Sequence, residues 1–396
     1  MQDKVKSSKK VMLMVPLLDQ GGLERICAFT AKRLNDKCEL CLVVFSTKDM
    51  LYDIGDVDLY DLKLGSRPTK PGKMINVFKR VRAVKKIKRQ RQIEITYSFG
   101  PTANLINVLS RVKDKIWVGI RGYGALQSNR SMKFICKKAD TVICCTKIMR
   151  DDVNAIYHPR EAECLYNPCE IEKNRGMSKE PVEERHLAFF DGSGPIITSM
   201  SRADDVKGFW HLIKAVALIK QEIPKVKLVI IGDGNFSEYE RLAGELEIGS
   251  DVLFTGLQKN PFAYLAKATL YAMCSFTEGF PNSLVEAMSV GLPAVAVNCK
   301  TGPAEILSED YAKVADQRLV HECDYGVLLP LMNPVKNLDP SIIEEEERIL
   351  ARETVKLLRD PEKLAILREK AKVRSERFSE SAYLEWLIQK MGLLEV

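Results

Sequence analysis

Short apolar runs alternate with longer amphipathic ones along most of this 396-residue chain. In the first half, strand-like runs rich in β-branched residues fall at 11–15, 40–45, 93–98, 116–120 and 141–145. Between them, apolar residues recur at three- or four-residue steps over 23–34, 74–91, 102–111, 131–138 and 148–156, which predicts helices. Strands apolar throughout, separated by helices, predict a parallel sheet covered on both faces. The pattern breaks over 174–194, which is charged and poorly periodic and reads as a linker or surface excursion. It then restarts, with strands predicted at 196–200, 227–231, 252–255, 270–274, 294–297 and 326–329. The matching helices are 209–221, 236–246, 261–266, 283–290 and 303–307, and three more follow at 341–358, 361–378 and 381–391. Two doubly wound α/β halves result. Ligands of such sheets bind beyond the carboxyl ends of the strands, so the loops that follow strands are where chemistry is expected.

Length agrees with two cores, since single cores stop growing at roughly 250–300 residues. An apolar fraction of 46% and a charged fraction of 29% are ordinary for a globular enzyme. The net charge of +7 is modest, but its distribution is uneven: from Lys79 to Arg91 there are eight basic residues and no acidic one. Val77, Val81, Val84 and Ile87 give this stretch an apolar stripe, so it reads as a basic amphipathic helix. Such a helix suits a solvated exterior or an anionic membrane surface; nucleic acid is the least favoured partner and none is expected. Eleven scattered cysteines, several inside apolar runs, fit a reducing compartment, and the C-x-x-C match Cys38-Glu-Leu-Cys41 reads as core. No run approaches the ~20 apolar residues of a membrane span, so a cytoplasmic protein is expected, possible at the inner face of the cell membrane as a peripheral partner.

Three loops carry candidate chemistry. After the first strand, Gly21 and Gly22 open a helix within Asp19-Gln-Gly-Gly-Leu-Glu-Arg25. This is not G-x-G-x-x-G, which disfavours a nicotinamide or flavin enzyme. After the first strand of the second half, Arg202 and Lys207 flank a loop leading into a helix, an arrangement suited to a diphosphate. The third loop is Glu278-Gly-Phe-Pro-Asn-Ser-Leu-Val-Glu286, where a helix begins near Asn282 or Ser283 and its free N–H groups favour anionic oxygens. Glu278 precedes the helix and can reach sugar hydroxyls; Glu286 can accept two ribose hydroxyls. Periodicity leaves Glu286 open, because Leu284, Ala287, Met288 and Gly291 share one face and Glu286 falls nearly opposite, where an ordinary helix is wet.

The spacing Glu278-x7-Glu286, with Ala287-Met288 and Gly291-x-Pro293, resembles the signature of retaining glycosyltransferases of the GT-B fold, family four. Gly21-Gly22-x-Glu24-Arg25, Ser201-Arg202-x4-Lys207-Gly208, Ile231-Gly232-Asp233-Gly234 and Phe254-Thr255-Gly256 are similar to other landmarks of that family, with Ser201 where glycine is usual. Asn298-Cys-Lys-Thr-Gly-Pro-Ala-Glu-Ile306 resembles a variant found in bacterial surface-polysaccharide and glycan-assembly enzymes. The resemblance implies two Rossmann-like domains facing a cleft, spanning 1–185 and 190–378, with a C-terminal helix, 379–396, crossing back to the first. It implies that Arg202 and Lys207 bind the donor diphosphate, that Glu286 holds ribose, and that Glu278 holds the transferred sugar. Gly279, Phe280 and Pro281 line the same loop, and the amides of Asn282, Ser283 and Leu284 meet phosphate or sugar. Gly232, Gly256 and Leu257 border the base, and Gly21 and Gly22 close the site. Glu278, Arg202 and Lys207 are the expected catalytic groups. Many relatives carry a histidine after the fourth strand of the first domain, where this chain has Ile120-Arg121-Gly-Tyr-Gly124; Arg121 and Tyr123 are the acceptor-side candidates. The resemblance implies no cofactor and no catalytic metal, in keeping with four histidines and no Asp-x-Asp in the cleft loops. The implied reaction moves a hexose or N-acetylhexosamine from a nucleotide sugar, a UDP-sugar being the expected donor, to a glycan or lipid-linked acceptor. A GT-B nucleotide-sugar epimerase and a non-catalytic nucleotide-binding scaffold are the alternatives.

Overall fold

The structure, a computed structural model, describes residues 6–19, 21–126 and 130–393. Residues 1–5 of the expected first domain, Gln20 of the first glycine loop and 394–396 of the expected last helix lie outside them. The chain divides into two compact units, Met1–Pro168 with Ser381–Val396, and Cys169–Glu380.

In the first unit the order is β1 (Ser7–Val15), α1 (Gly22–Leu34), β2 (Cys38–Val44), β3 (Asp58–Asp61), α2 (Lys70–Arg91), β4 (Ile95–Phe99), α3 (Pro101–Leu109), β5 (Lys115–Ile120), α4 (Arg130–Lys138), β6 (Thr141–Cys144), α5 (Lys147–Tyr157) and β7 (Ala162–Cys164). The sheet order is β3-β2-β1-β4-β5-β6-β7, and every pairing is parallel. Both faces are covered. On one, Val11, Leu13, Leu40 and Leu42 pack with α1; on the other, Met12, Met14, Cys41 and Val43 pack with Val84, Ile87 and α3. Cys38 and Cys41 thus belong to opposite cores, as residues three apart on a strand must. Thr69 caps α2 by accepting the Gly72 N–H at 3.2 Å, and Pro71 sits in the first turn where no donor is missed.

The second unit holds α6 (Ile171–Met177), β8 (Ile196–Met200), α7 (Phe209–Glu222), β9 (Lys227–Ile231), α8 (Ser237–Glu245), β10 (Val252–Phe254), α9 (Pro261–Lys267), β11 (Leu270–Met273), α10 (Asn282–Ser289), β12 (Ala294–Val297), α11 (Pro303–Leu307), β13 (His321–Cys323), β14 (Gly326–Leu329), α12 (Glu345–Leu358) and α13 (Pro361–Ser375). Its sheet runs β10-β9-β8-β11-β12-β14-β13, parallel except for the antiparallel edge strand β13. The last helix, α14 (Glu380–Met391), returns to the first unit. There Tyr383, Leu387 and Met391 enter the core beside α1, and Lys390 pairs with Glu161 and Glu163 at 2.8 and 2.7 Å.

The units meet along the chain at 168–169, earlier than the expected 185–190. The stretch read as a linker is helical at α6, whose Asn174 reaches Ser289 Oγ and whose Arg175 Nε reaches Ser289 O at 3.0 Å. Further on, His186 Nδ1 meets the Tyr264 hydroxyl at 2.8 Å. A polar stretch therefore belongs to the second unit through side-chain hydrogen bonds that a hydrophobic pattern does not register.

Candidate functional site

Strand order reverses direction in the second sheet between β8 and β11. In doubly wound sheets ligands bind beyond the carboxyl ends of the strands at such a reversal. The loop after β8 carries Arg202 and Lys207; the loop after β11 carries Glu278. The structure brings the last two together, with Lys207 Nζ 2.7 Å from Glu278 Oε1. The pair is partly accessible, with side chains 20% and 14% exposed. Arg202 is exposed, and its guanidinium forms no hydrogen bond or ion pair among the described residues.

Close backbone approaches shape these loops. Ser201 N donates to Ile231 O at 2.9 Å and Ala203 N to Asp233 O at 2.8 Å, so the loop after β8 runs against the Gly232-Asp-Gly234 turn. A Cβ on Gly232 would lie 1.8 Å from Ser201 O, which only glycine avoids. Gly232 N in turn donates to Gly256 O at 3.2 Å, which places the Gly256-Leu257 turn beside it, with Leu257 67% exposed. Gly232, Gly256 and Leu257 are therefore neighbours. On the other side, Thr301 Oγ1 donates to Glu278 O at 2.5 Å, and Gly302 (φ 101°) lies so close to Pro281 that a Cβ would be 2.2 Å from its Cδ. The Thr301-Gly302 step thus holds the segment of Glu278, Gly279 and Pro281 from behind.

Helix α10 begins at Asn282, with Pro281 as its cap residue. The Tyr271 hydroxyl donates to Ser283 Oγ at 2.9 Å and ties the first turn to β11. Burial pushes the Tyr271 phenol well above its ordinary range, so it acts as a donor and not as an anion. The Ser283 N–H has no acceptor among the described residues, but the Leu284 N–H donates to Pro281 O at 3.1 Å and its side chain is buried. The expectation that the Leu284 amide faces a ligand is corrected: that donor closes the turn. Phe280 is also buried, packing at a tilt against Phe378 with ring centroids 5.5 Å apart, and shapes the loop from the core. Glu286 is only 9% exposed. The reading of it as the wet side of α10 is corrected too, because α6 and α13 cover the helix and Ser289 on that side is fully buried. A carboxylate is kept in such a place only with polar partners.

Gly21 and Gly22 lie in the first unit, at the start of α1. The backbone of Gly21 is extended (φ −175°), so its glycine answers to space and not conformation: a Cβ would meet Glu24 Oε2 at 2.1 Å. The Tyr52 hydroxyl donates to Gly21 O at 2.9 Å. Arg121, at the end of β5, is committed to the framework: Nη1 reaches Asn167 Oδ1 at 2.7 Å and Leu165 O at 3.2 Å, and Nη2 reaches the Tyr97 hydroxyl at 2.5 Å. Tyr123 donates to Asp152 Oδ2 at 2.8 Å. Both acceptor-side candidates are therefore engaged with partners in the first unit.

Sequence reasoning missed Tyr271, Thr301 and Gly302 as positioning residues. Thr301 and Gly302 carried a signal, since both fall within the 298–306 landmark and glycine before proline marks a sharp turn. One further cluster, His211, Glu344 and Glu347, brings three potential metal-ligand atoms within 4.8 Å. Both ring nitrogens of His211 already face acceptors, Glu347 Oε1 at 2.8 Å and Asn333 O at 2.9 Å, so the cluster fastens α7 to the start of α12.

Residues 183–325 match the family described as glycosyl transferases group 1. The chain is 26% identical over 319 residues to the N-acetylgalactosamine-N,N'-diacetylbacillosaminyl-diphospho-undecaprenol 4-alpha-N-acetylgalactosaminyltransferase of Campylobacter jejuni, covering 76% of this chain and 84% of that one. It is 30% identical over 235 residues to an uncharacterized glycosyltransferase of Methanocaldococcus jannaschii, covering 58% of this chain and 57%, less than two thirds, of that protein. In fold it resembles HepE of Anabaena, crystallised with UDP and glucose, with a TM-score of 0.71 at 17% identity, covering 97% of this chain and 99% of that one. With a doubly wound sheet in each unit and the Lys207–Glu278 pair at the switch point of the second, the chain has the GT-B fold, and its residues 183–325 carry the group 1 glycosyl transferase match.

Proposed function

We propose that the chain is a retaining transferase that moves a hexose or N-acetylhexosamine from a UDP-sugar to a lipid-linked glycan. The observation that carries this reading is the Lys207–Glu278 pair, set with Arg202 and the start of α10 at the switch point of the second sheet. Transfer makes a bond from an acceptor hydroxyl oxygen to the anomeric carbon and breaks the bond from that carbon to the diphosphate. The leaving diphosphate gains negative charge, and preorganised cations are worth most where charge develops. Arg202 and Lys207 supply two, and the Ser283 N–H adds a helix-terminal donor. The acceptor proton passes to the departing phosphate oxygen on the same face, so that no separate base is required and the anomeric configuration is kept. Glu278 holds sugar hydroxyls once the donor draws Lys207 toward phosphate, and Glu286 accepts the ribose hydroxyls. On this account side-chain cations meet the phosphate charge and no metal is needed; activity surviving EDTA supports that, and activity restored only by a divalent ion contradicts it.

The relative in Campylobacter jejuni is named for a diphospho-undecaprenol acceptor, which favours a lipid-linked acceptor here and a place at the inner face of the membrane. No helix among the described residues is long and apolar enough to cross a membrane. A surface contact is provided by α2, where Met74 and Phe78 stand 75% and 70% exposed beside exposed Lys79, Arg82 and Lys86. Two of the eight cations expected on this face are not on it: Arg80 turns inward to Leu64 O and Gly65 O, and Lys88 is fully buried against Asp114.

The deciding experiment is a screen of UDP-, GDP- and ADP-sugars for nucleotide release, with donor-alone incubations checked for an epimer. Release from UDP-sugars, slowed about 10²–10³-fold in kcat by Arg202→Ala or Lys207→Ala, is expected. An epimer from donor alone would replace the transferase reading with an isomerase.

A further inference from the structure

One strongly basic concavity in the first unit lies away from the carboxyl ends of its strands. A cavity of about 870 Å³ opens where the strands begin, between Lys9 on β1, Ile95 on β4 and Lys115 on β5, and is walled by the last turns of α2 and the segment after α3. That volume is within the range that small-molecule ligands occupy.

Its charge is the notable property. Lys85, Arg89, Lys113 and Lys115 all line it, and none of their side chains has a hydrogen bond or ion pair among the described residues. The other lining cations are already occupied: Lys88 with Asp114 at 2.8 Å, Arg111 with Asp140 at 2.9 Å, and Lys9 with Met391 O at 2.8 Å. The one acidic residue in the wall, Glu94, accepts the Lys10 N–H at 3.0 Å. Dipole compensation is the ordinary explanation for cations at this end, because α2 and α3 both point their C-termini here. Each helix end amounts to about half a negative charge, so two account for about one cation and not four. Like charges gathered around a concavity repel, and they focus the field on whatever anion enters.

We propose that this cavity is a second anion site, which binds a compound carrying a diphosphate or an equivalent pair of phosphate charges. The proposal is independent of the donor site, because every residue in it belongs to the first unit. Lysines and an arginine spread over two separate segments suit a diphosphate free to turn among point charges, more than a planar carboxylate that needs a fixed fork. The same chemistry can arrive as a soluble diphosphate or as phosphate groups on a lipid.

The test is calorimetric titration of inorganic diphosphate into the full chain carrying Arg202→Ala and Lys207→Ala, which removes the competing donor-site cations. One binding event is expected, weakened at least tenfold by adding Lys113→Ala and Lys115→Ala and retained with Lys113→Arg and Lys115→Arg. Both lysines are exposed, and an unchanged circular dichroism spectrum shows that the fold is intact. A parallel arm measures binding to phosphatidylcholine vesicles with and without phosphatidylglycerol. A loss confined to the phosphatidylglycerol vesicles assigns the phosphate to a lipid headgroup. No binding in either arm, or binding indifferent to the alanine substitutions, overturns the proposal.

Discussion

Gly302 shows how much of the loop after β11 rests on single atoms. Its φ of 101° and the 2.2 Å from a would-be Cβ to Pro281 Cδ leave an alanine no room, and both objects are stiff. Gly302→Ala is expected to cost about 1–3 kcal/mol of stability. It should also displace the segment from Glu278 to Pro281, so the urea midpoint falls and the KM for donor rises together; an unchanged KM would separate Gly302 from the site. A buried ion pair gives the opposite kind of test. Lys88 and Asp114 are both fully buried at 2.8 Å, and Asp114 also accepts the Thr96 hydroxyl at 2.7 Å. Burial lowers the Lys88 pKa to about 8, with Asp114 opposing the shift. Lys88→Met leaves the Asp114 carboxylate without its cation, and a loss of about 3–5 kcal/mol is expected in denaturant unfolding. A loss below about 1 kcal/mol would mean that water reaches the pair.

At the scale of elements, the central strands were legible because a parallel strand buried on both faces is apolar throughout: 196–200, 227–231, 294–297 and 326–329 agree with β8, β9, β12 and β14 residue for residue. The strands that escaped notice, β3 (Asp-Leu-Tyr-Asp), β7 (Ala-Glu-Cys) and β13 (His-Glu-Cys), are the short edge strands, or edge neighbours, of their sheets and carry charged or polar residues on an open side. The burial of Glu286 was illegible for a different reason. Helical period assigns it a face, but α6 and α13, which pack on α10, come from more than a hundred residues before and some eighty after. Edge strand β13 also offers a pH test. Hydrogen bonds from Lys356 and Lys363 hold the Glu322 carboxyl down at about 2, from 4.5. The folded state therefore binds this proton less readily than the unfolded chain. The contribution is complete above about pH 4.5 and fades as pH falls toward 2. Because Glu322 is half-exposed, it is worth less than about 1 kcal/mol. Glu322→Gln should lower the urea midpoint at pH 6 and leave it unchanged near pH 2; an equal drop at both would point to packing instead. For α2, Met74→Ser with Phe78→Ser should weaken binding to anionic vesicles while leaving release of nucleotide from donor unchanged. Retained binding would return α2 to an ordinary solvated helix.

For the whole molecule, both units use one plan, a parallel sheet wound in two directions from its middle, and in both the loop after the first strand leaves from the switch point. The plan and the strand-turn-helix form of the segment from Glu278 to Glu286 could be read from the chain because they are local: a strand, a turn, a helix start. What holds that segment in shape could not, since Tyr271, Thr301 and Gly302 act through contacts across strands. The partners of Arg121, Tyr97 and Asn167, are likewise far away in the chain and could not be read from it. The central claim is that the second unit binds the nucleotide part of the donor through Arg202, Lys207 and Glu286. It is tested most directly by titrating UDP calorimetrically into the wild-type chain and into Glu286→Gln, a variant that keeps the side chain's shape and loses one ribose acceptor. The account predicts one UDP per chain, bound at least tenfold more weakly by the variant; equal affinity for both would contradict it.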